Sequence, residues 1–121
     1  MPRQERRVVE AASEGRIATY AEIIDGIPIH RPGKPPIIVR VGEKWNLAVQ
    51  GPLWEILRDI SRASFTRHGF LLTAIVVGKV SKRPGPGFFR LAIELGIRTE
   101  EDDPTAMWAS QVAAVHRHYG R

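Results

Sequence analysis

A stretch rich in glycine and proline, residues 78–87, carries the side chains with the clearest potential for binding chemistry. Its three cations are Lys79, Lys82 and Arg83, and the glycines and prolines around them predict turns. Ammonium and guanidinium groups on a turn can neutralise the phosphates of a nucleic acid. The stretch lacks the G-x-x-x-x-G-K-[ST] pattern of a nucleotide-binding P-loop. It predicts contacts with a nucleic-acid backbone; the alternative is a solvated turn.

Polar and aromatic side chains also surround the beginning of the longest predicted helix. Asn46, Gln50 and Arg58 carry donors suited to the edges of bases. Trp45 and Trp54 lie on either side of the start of that helix, and aromatic rings beside cations can stack on unpaired bases. Internal packing is the alternative, and it is favoured for Trp54.

Catalytic and metal-binding patterns are weak. The chain has no cysteine, which excludes a thiol nucleophile, a disulfide and a thiolate metal site. Of the four histidines, His116 and His118 are two residues apart on a predicted helix and point to different sides. Glu43 and Lys44 lack the acid-x-Lys spacing of a metal-dependent nuclease. We predict surface histidines, no metal, no cofactor and no enzyme activity.

The distribution of charge favours a polyanionic partner. The 121 residues carry a net charge of +5; those up to Arg90 carry +7 and those after it −2. A hydrophobic content of 43% is typical of a globular protein. No apolar run approaches the ~20 residues that span a bilayer, and no secretory signal is recognisable. We therefore expect a cytoplasmic protein without a membrane partner.

Local signals predict the elements that position these residues. Thr19 and Glu22 have the spacing of a capping box, Pro52 suits a first helical turn, and Asp103 with Pro104 predicts another helix start. The predicted helices cover residues 3–13, about 20–25, 52–68, 91–95 and 104–119, and the predicted strands residues 37–41 and 70–77.

This order predicts an α/β, mainly helical fold: a winged-helix-like domain with a β-hairpin wing and an inserted proline-rich strand segment. Such domains place a helix in a groove of DNA and a hairpin against its backbone. We expect one domain over residues 1–121, with a core of about 3–96 and a C-terminal helix of about 103–119.

Several motifs resemble one family in the same order along the chain. Residues 8–23 (VVEAASEGRIATYAEI) are similar to the opening "V..a...G.vaTYgeiA" of the DNA-binding domain of O6-alkylguanine-DNA alkyltransferases and alkyltransferase-like proteins. Residues 48–53 (AVQGPL) are similar to the family's "AVGGAL" at the start of its recognition helix. Residues 71–77 (LLTAIVV) occupy the place of its active-site "IPCHRVV". The basic stretch rich in glycine and proline, residues 78–87, falls where the family has its wing. The resemblance covers about residues 8–90.

The resemblance implies roles for single positions. Tyr20 matches the tyrosine that presses on a target-strand phosphate; packing at the start of a helix is the alternative. Thr73 matches the nucleophilic cysteine and Ala74 the neighbouring histidine, so alkyl transfer is excluded. Leu47 stands where the family has its arginine finger, and a core position explains it better than an apolar wedge.

We therefore predict a non-catalytic protein that binds double-stranded DNA through a recognition helix and a basic wing. One alternative is a regulatory or defence-related protein-interaction module, with a partner or homodimer surface on acidic residues 100–103 and the C-terminal helix. Another is an RNA-binding domain that prefers single strands. The residues predicted to contact nucleic acid are Arg16, Tyr20, Lys44, Trp45, Asn46, Gln50, Arg58, Lys79, Lys82 and Arg83.

Overall fold

A computed structural model describes residues 3–38, Arg40 and residues 47–120 of the chain. Within these ranges the protein is α/β and mainly helical, as the sequence predicts. The elements in chain order are α1 (Arg3–Ser13), β1 (Ala18–Thr19), α2 (Tyr20–Ile24), β2 (Ile29–Arg31), β3 (Lys34–Ile37), α3 (Leu47–His68), a 3-10 helix (Leu72–Ile75), β4 (Val76–Val77), α4 (Pro86–Glu94) and α5 (Pro104–Tyr119).

The first two helices form where local signals predict them. α1 buries Val8 and Ala12 and is followed by Gly15 at φ +70°, in the left-handed region that favours glycine. α2 is capped by Thr19, whose hydroxyl accepts a hydrogen bond from the Glu22 amide at 3.3 Å. These positions confirm both predicted helices.

The long helix α3 begins earlier than predicted. Pro52 lies inside the helix, five residues after Leu47, and not in its first turn. A proline so near a helix start removes little more than one intrahelical hydrogen bond. The burial of Leu53, Leu57 and Ile60 on the next turns offsets that loss.

Residues 70–77 are buried as predicted, but most of them do not form a strand. Leu72–Ile75 form a 3-10 helix, and only Val76–Val77 pair as β4. The backbone amides at the start of this segment are bonded by side chains of α3 and α5. Because those donors already have partners, no neighbouring strand is needed to satisfy them.

The prediction of a β-hairpin wing is wrong for residues 78–89. Phe88 and Phe89 lie in α4 and not in a returning strand. Gly85 takes the N-cap position and Pro86 the first turn, where its missing N–H costs nothing. The chain therefore makes a turn and starts a helix where a second strand is predicted.

A hairpin occurs in the proline-rich insert instead. β2 and β3 are antiparallel, with Ile29 opposite Ile37 and a turn through Gly33 at φ +68°. Of the strand predicted over residues 37–41, β3 contains Ile37, whereas Ile38 and Arg40 lie outside any strand, and residues 39 and 41 are outside the described part of the chain. The two prolines of β3 are tolerated since the strand pairs on one side only.

Two clusters of buried apolar side chains share residues 70–77. The larger joins α1, α2, β2 and α3, and α5 contributes Val115 to it. The smaller joins the start of this segment to α4 and to Met107 of α5. Trp54 and Val112 contact both clusters, so α5 is packed into the same interior as the preceding elements.

Candidate nucleic-acid interface

A parallel pair of strands brings α2 and the basic turn to the same edge of the molecule. β1 and β4 run parallel, and their last residues, Thr19 and Val77, lie opposite each other. Tyr20 begins α2 directly after β1, and the basic turn, defined here as residues 78–85, directly follows β4. Segments that follow parallel strands leave the sheet at the same edge. Two regions about sixty residues apart in sequence therefore become neighbours.

The Tyr20 hydroxyl joins these two regions. It accepts a hydrogen bond from the Gly85 amide at 2.7 Å. Burial raises the pKa of the Tyr20 phenol, and the hydrogen bond from Gly85 opposes this shift. The phenol is therefore protonated at neutral pH, and its own O–H has no acceptor among the described residues. Tyr20 therefore packs at the start of α2, as one of its two predicted roles requires. Its O–H group can still donate a hydrogen bond to a phosphate.

The basic turn is closed by its own hydrogen bonds. The Gly78 amide donates to the Arg83 carbonyl at 2.9 Å, and the Lys82 amide donates to the Gly78 carbonyl at 3.0 Å. The Ser81 hydroxyl adds a bond to the Arg83 carbonyl. Lys79 and Lys82 are exposed and form no ion pair within the described part of the chain. Their charges are therefore free to meet an anion.

Arg83 is held differently from the two lysines. Its Nη2 donates to the Thr105 hydroxyl at 3.1 Å. The guanidinium carbon lies 5.5 Å from the centre of the Phe89 ring and 5.7 Å from that of Trp108. These cation–π and hydrogen-bond contacts anchor the end of the basic turn to α4 and α5. Through these contacts Arg83 orients the basic turn.

α3 and α4 lie side by side next to the basic turn. Gly87 packs against the Trp54 ring, which confirms the packing role favoured for this tryptophan. Further along, Arg62 donates to Glu94 at 2.9 Å. Arg58 is midway between Trp54 and Arg62 on the same face of α3, and is therefore placed beside α4. It is half-buried and has no ion pair with any described residue.

Arg16 is engaged by two carboxylates. Its Nε lies 2.6 Å from Glu14 and its Nη1 lies 3.0 Å from Glu22. These two hydrogen bonds, the one to Glu14 first, raise the pKa of Arg16. All three side chains are exposed, and exposed ion pairs contribute only about 0–1 kcal/mol. Contact between Arg16 and a phosphate remains a prediction that requires one of these pairs to open.

The other predicted contacts lie near the start of α3. Lys44, Trp45 and Asn46 are outside the described residues. Gln50 lies in the first turns of α3, seven residues before Leu57. The structure thus brings together Tyr20, Lys79, Lys82 and Arg83, and places Arg58 on the adjoining helix.

The position matched to the alkyltransferase nucleophile lies inside the core. Thr73 is buried, and its hydroxyl forms a short hydrogen bond with the Ser61 hydroxyl. Ala74, the match to the histidine, is also buried, and its carbonyl accepts a bond from the Trp108 indole at 2.8 Å. Thr73 is only 4% exposed, so a substrate could not reach its hydroxyl without local opening of the core.

Three polar side chains fix the backbone of this segment. Ser64 Oγ accepts a bond from the Leu72 amide at 2.9 Å, and Gln111 Oε1 accepts one from the Leu71 amide at 2.8 Å. Ser61 Oγ accepts one from the Thr73 amide at 3.3 Å. These three residues are not among the side chains that the sequence singles out. The available signal was a pair of serines three apart on the apolar face of a helix.

The Ser64→Ala variant is expected to lower the free energy of unfolding by about 2 kcal/mol, because the buried Leu72 amide loses its acceptor. The matched control is Thr66→Ala on the same helix, since the Thr66 side chain is exposed and, among the described residues, its hydroxyl bonds only to the Arg62 carbonyl of the preceding turn. Its effect is expected within about 0.5 kcal/mol. Urea unfolding followed by circular dichroism measures both. Equal effects would contradict the role of Ser64.

The histidines make ordinary surface contacts. His116 Nε2 lies 3.1 Å from the Arg16 carbonyl, and the His68 and His118 rings lie 4.2 Å apart at the ends of α3 and α5. Over the residues that the structure describes, no group of three or more histidine or acidic side chains could hold a metal ion.

Comparisons with family models, with curated proteins and with solved structures find no match for this chain. In the described part of the chain, none of the helices has the length and apolar character needed to cross a membrane. The functional assignment therefore depends on the residues and their geometry alone.

Proposed function

We propose that this protein is a non-catalytic DNA-binding protein with a winged-helix-like arrangement similar to the DNA-binding domain of alkyltransferase-like proteins. The first half of α3 enters a groove of double-stranded DNA. The basic turn takes the place of the wing and contacts the phosphate backbone. Tyr20, beside the basic turn, donates a hydrogen bond from its hydroxyl group to a phosphate.

The observation that carries the proposal is the juxtaposition made by β1 and β4. The parallel pair delivers the start of α2 and the basic turn to one edge, and the hydrogen bond from Gly85 to Tyr20 holds them together. Lys79 and Lys82 project from this edge without a carboxylate partner among the described side chains. A fixed edge with unpaired cations is what phosphate contacts require.

The charge of the chain supports the same surface. The net charge of +5 comes wholly from the residues up to Arg90, which include the basic turn. Three of the five acidic residues after it have structural partners: Glu94 pairs with Arg62, Asp102 accepts a bond from the Thr99 amide, and Asp103 accepts one from the Thr105 amide. Asp103 is the N-cap of α5, where a helix N-terminus favours negative charge.

Removal of both lysines is expected to weaken duplex binding and its salt dependence together. In the Lys79→Gln, Lys82→Gln double variant, the slope of log K against log salt should fall by about 1 for each lost phosphate contact. Fluorescence anisotropy of a labelled duplex, titrated at several salt concentrations, measures both quantities. The slope is the decisive value because it counts contacts and is insensitive to small changes in stability.

The matched control is the Arg67→Gln, Arg117→Gln double variant, which also removes two positive charges. Both arginines are exposed and lie at the C-terminal ends of α3 and α5. This control should bind with nearly the wild-type slope. An equal reduction in both variants would point to adsorption by net charge and contradict an interface at the basic turn. Absence of duplex binding at low salt would favour a protein-interaction module, and preference for single strands would favour RNA.

A further inference from the structure

The tip of the basic turn carries an apolar side chain that the proposed phosphate contacts leave unexplained. Val80 is 93% exposed, whereas Ile17 and Ile38, the other large exposed apolar side chains among the described residues, are 43% and 48% exposed. A fully hydrated aliphatic side chain contributes nothing to the core. Its position between Lys79 and Lys82 therefore points to a contact outside the protein core.

The turn holds Val80 outward. The bonds of the Gly78 and Lys82 amides close the loop on either side of it, and a Cβ at Gly78 would lie 2.6 Å from the Ser81 hydroxyl. Lys82 adopts φ +58°, a left-handed conformation that is unfavourable for lysine and sharpens the turn. A closed turn cannot fold Val80 back onto the core without breaking these bonds.

We infer that Val80 is an apolar wedge that enters the minor groove of the bound duplex, between phosphates contacted by Lys79 and Lys82. The inference rests on the proposed function and extends it to a contact with the bases. The minor groove is about 6 Å wide, so a single valine fits where a helix does not. Minor-groove proteins insert apolar side chains between base steps, and lysines beside such a side chain can neutralise nearby phosphates.

The charges favour DNA over an apolar protein surface. An exposed valine alone would fit either partner, but two lysines without carboxylate partners in the described structure favour a surface with negative charge on both sides of it. Duplex DNA presents phosphates on both edges of the groove and apolar sugar and base surface in its floor. The alternation of cation, valine and cation matches that order.

The test separates the apolar contact from the electrostatic ones. The Val80→Ala variant is expected to bind a labelled duplex about tenfold more weakly at every salt concentration, because two methyl groups lose their buried contact. Its salt slope should equal that of the wild type, since no phosphate contact is lost. The Ile17→Ala variant is the control, because Ile17 precedes β1 and lies at the opposite end of the strand pair from the turn.

A second arm identifies the groove. Netropsin, which occupies the minor groove of A·T tracts, should reduce wild-type affinity to the level of Val80→Ala and leave the variant nearly unchanged. Unchanged affinity in Val80→Ala, or an equal effect of netropsin on both proteins, would overturn the inference while duplex binding by the wild type upholds the proposed function. A reduced salt slope in Val80→Ala would also overturn it, because Val80 would then act through the lysines. If the wild type binds no duplex, both proposals fail together.

Discussion

The Thr73→Cys variant is expected to react with a thiol reagent about 10³-fold more slowly than the Val80→Cys variant, because position 73 is reached only when the core opens locally. Thr73 is 4% exposed and Val80 is 93% exposed. The natural chain has no cysteine, so each variant carries a single thiol. The rate of thiolate release from an aromatic disulfide reagent, measured under native conditions, gives the comparison directly.

Unfolded samples supply the control. In concentrated urea the two variants should react at nearly the same rate, since both thiols are then exposed. A native rate at position 73 within tenfold of that at position 80 would contradict the burial of this segment. It would also reopen the possibility of a substrate pocket at the place where alkyltransferases have their nucleophile.

This expectation bears on how the resemblance to alkyltransferases is interpreted. The segment matched to the active site is enclosed: Ser61 bonds the Thr73 hydroxyl, and Trp108 bonds the Ala74 carbonyl. A pocket for an extruded base would have to displace these contacts. The contacts of this segment are therefore those of a packed core, at the positions that match the nucleophile and histidine of alkyltransferases.

The Gly87→Val variant is expected to lower the free energy of unfolding by about 3 kcal/mol, because the valine side chain collides with the Trp54 ring. The higher helix propensity of valine relative to glycine is too small to offset this collision. A Cβ at Gly87 would lie 2.8–2.9 Å from three carbons of the Trp54 ring. The ring contacts both buried clusters and cannot move freely. Urea unfolding with a shared m-value measures the change in stability.

Gly85→Ala is the matched control. It lies two residues earlier, has φ −68°, and its added Cβ would meet only the Tyr20 hydroxyl at an ordinary 3.5 Å. Its free energy of unfolding should change by less than about 1 kcal/mol, because the cost of alanine at the N-cap of α4 is partly offset by its restriction of the unfolded chain. If the Trp54→Leu background abolishes the effect of Gly87→Val, the collision with this ring is its cause. A full effect of Gly87→Val without Trp54 would contradict the assignment.

Local chemistry was sufficient to predict several elements correctly. The Thr19 and Glu22 spacing placed the start of α2, and Asp103 followed by Pro104 placed the start of α5. Asp103 accepts a bond from the Thr105 amide, as an N-cap does. These signals lie within a few residues of the element they control, so no knowledge of distant contacts is needed.

For the candidate interface, the sequence predicts which residues are involved but not how they contact each other. Lys79 and Lys82 were recognised because cations within a glycine- and proline-rich stretch predict an exposed basic turn. The hydrogen bonds of Arg83 to Thr105 and of Gly85 to Tyr20 were not predictable, because the partners are 22 and 65 residues apart. Contacts at that separation depend on how helices and strands pack.

What the sequence alone determined is the location of α1, α2 and α5, the buried character of residues 70–77 and the basic turn. It placed the start of α3 five residues too late and that of α4, predicted over residues 91–95, also five residues too late. The tertiary structure decided whether that buried segment became a strand. Its amides are bonded by Ser61, Ser64 and Gln111, so a 3-10 helix satisfies the backbone where the apolar run predicted a strand. The tertiary structure also paired β1 with β4 and so gathered the candidate interface at one edge. Periodicity reports which side of an element is apolar, whereas hydrogen-bond partners across the core are set only when the elements meet.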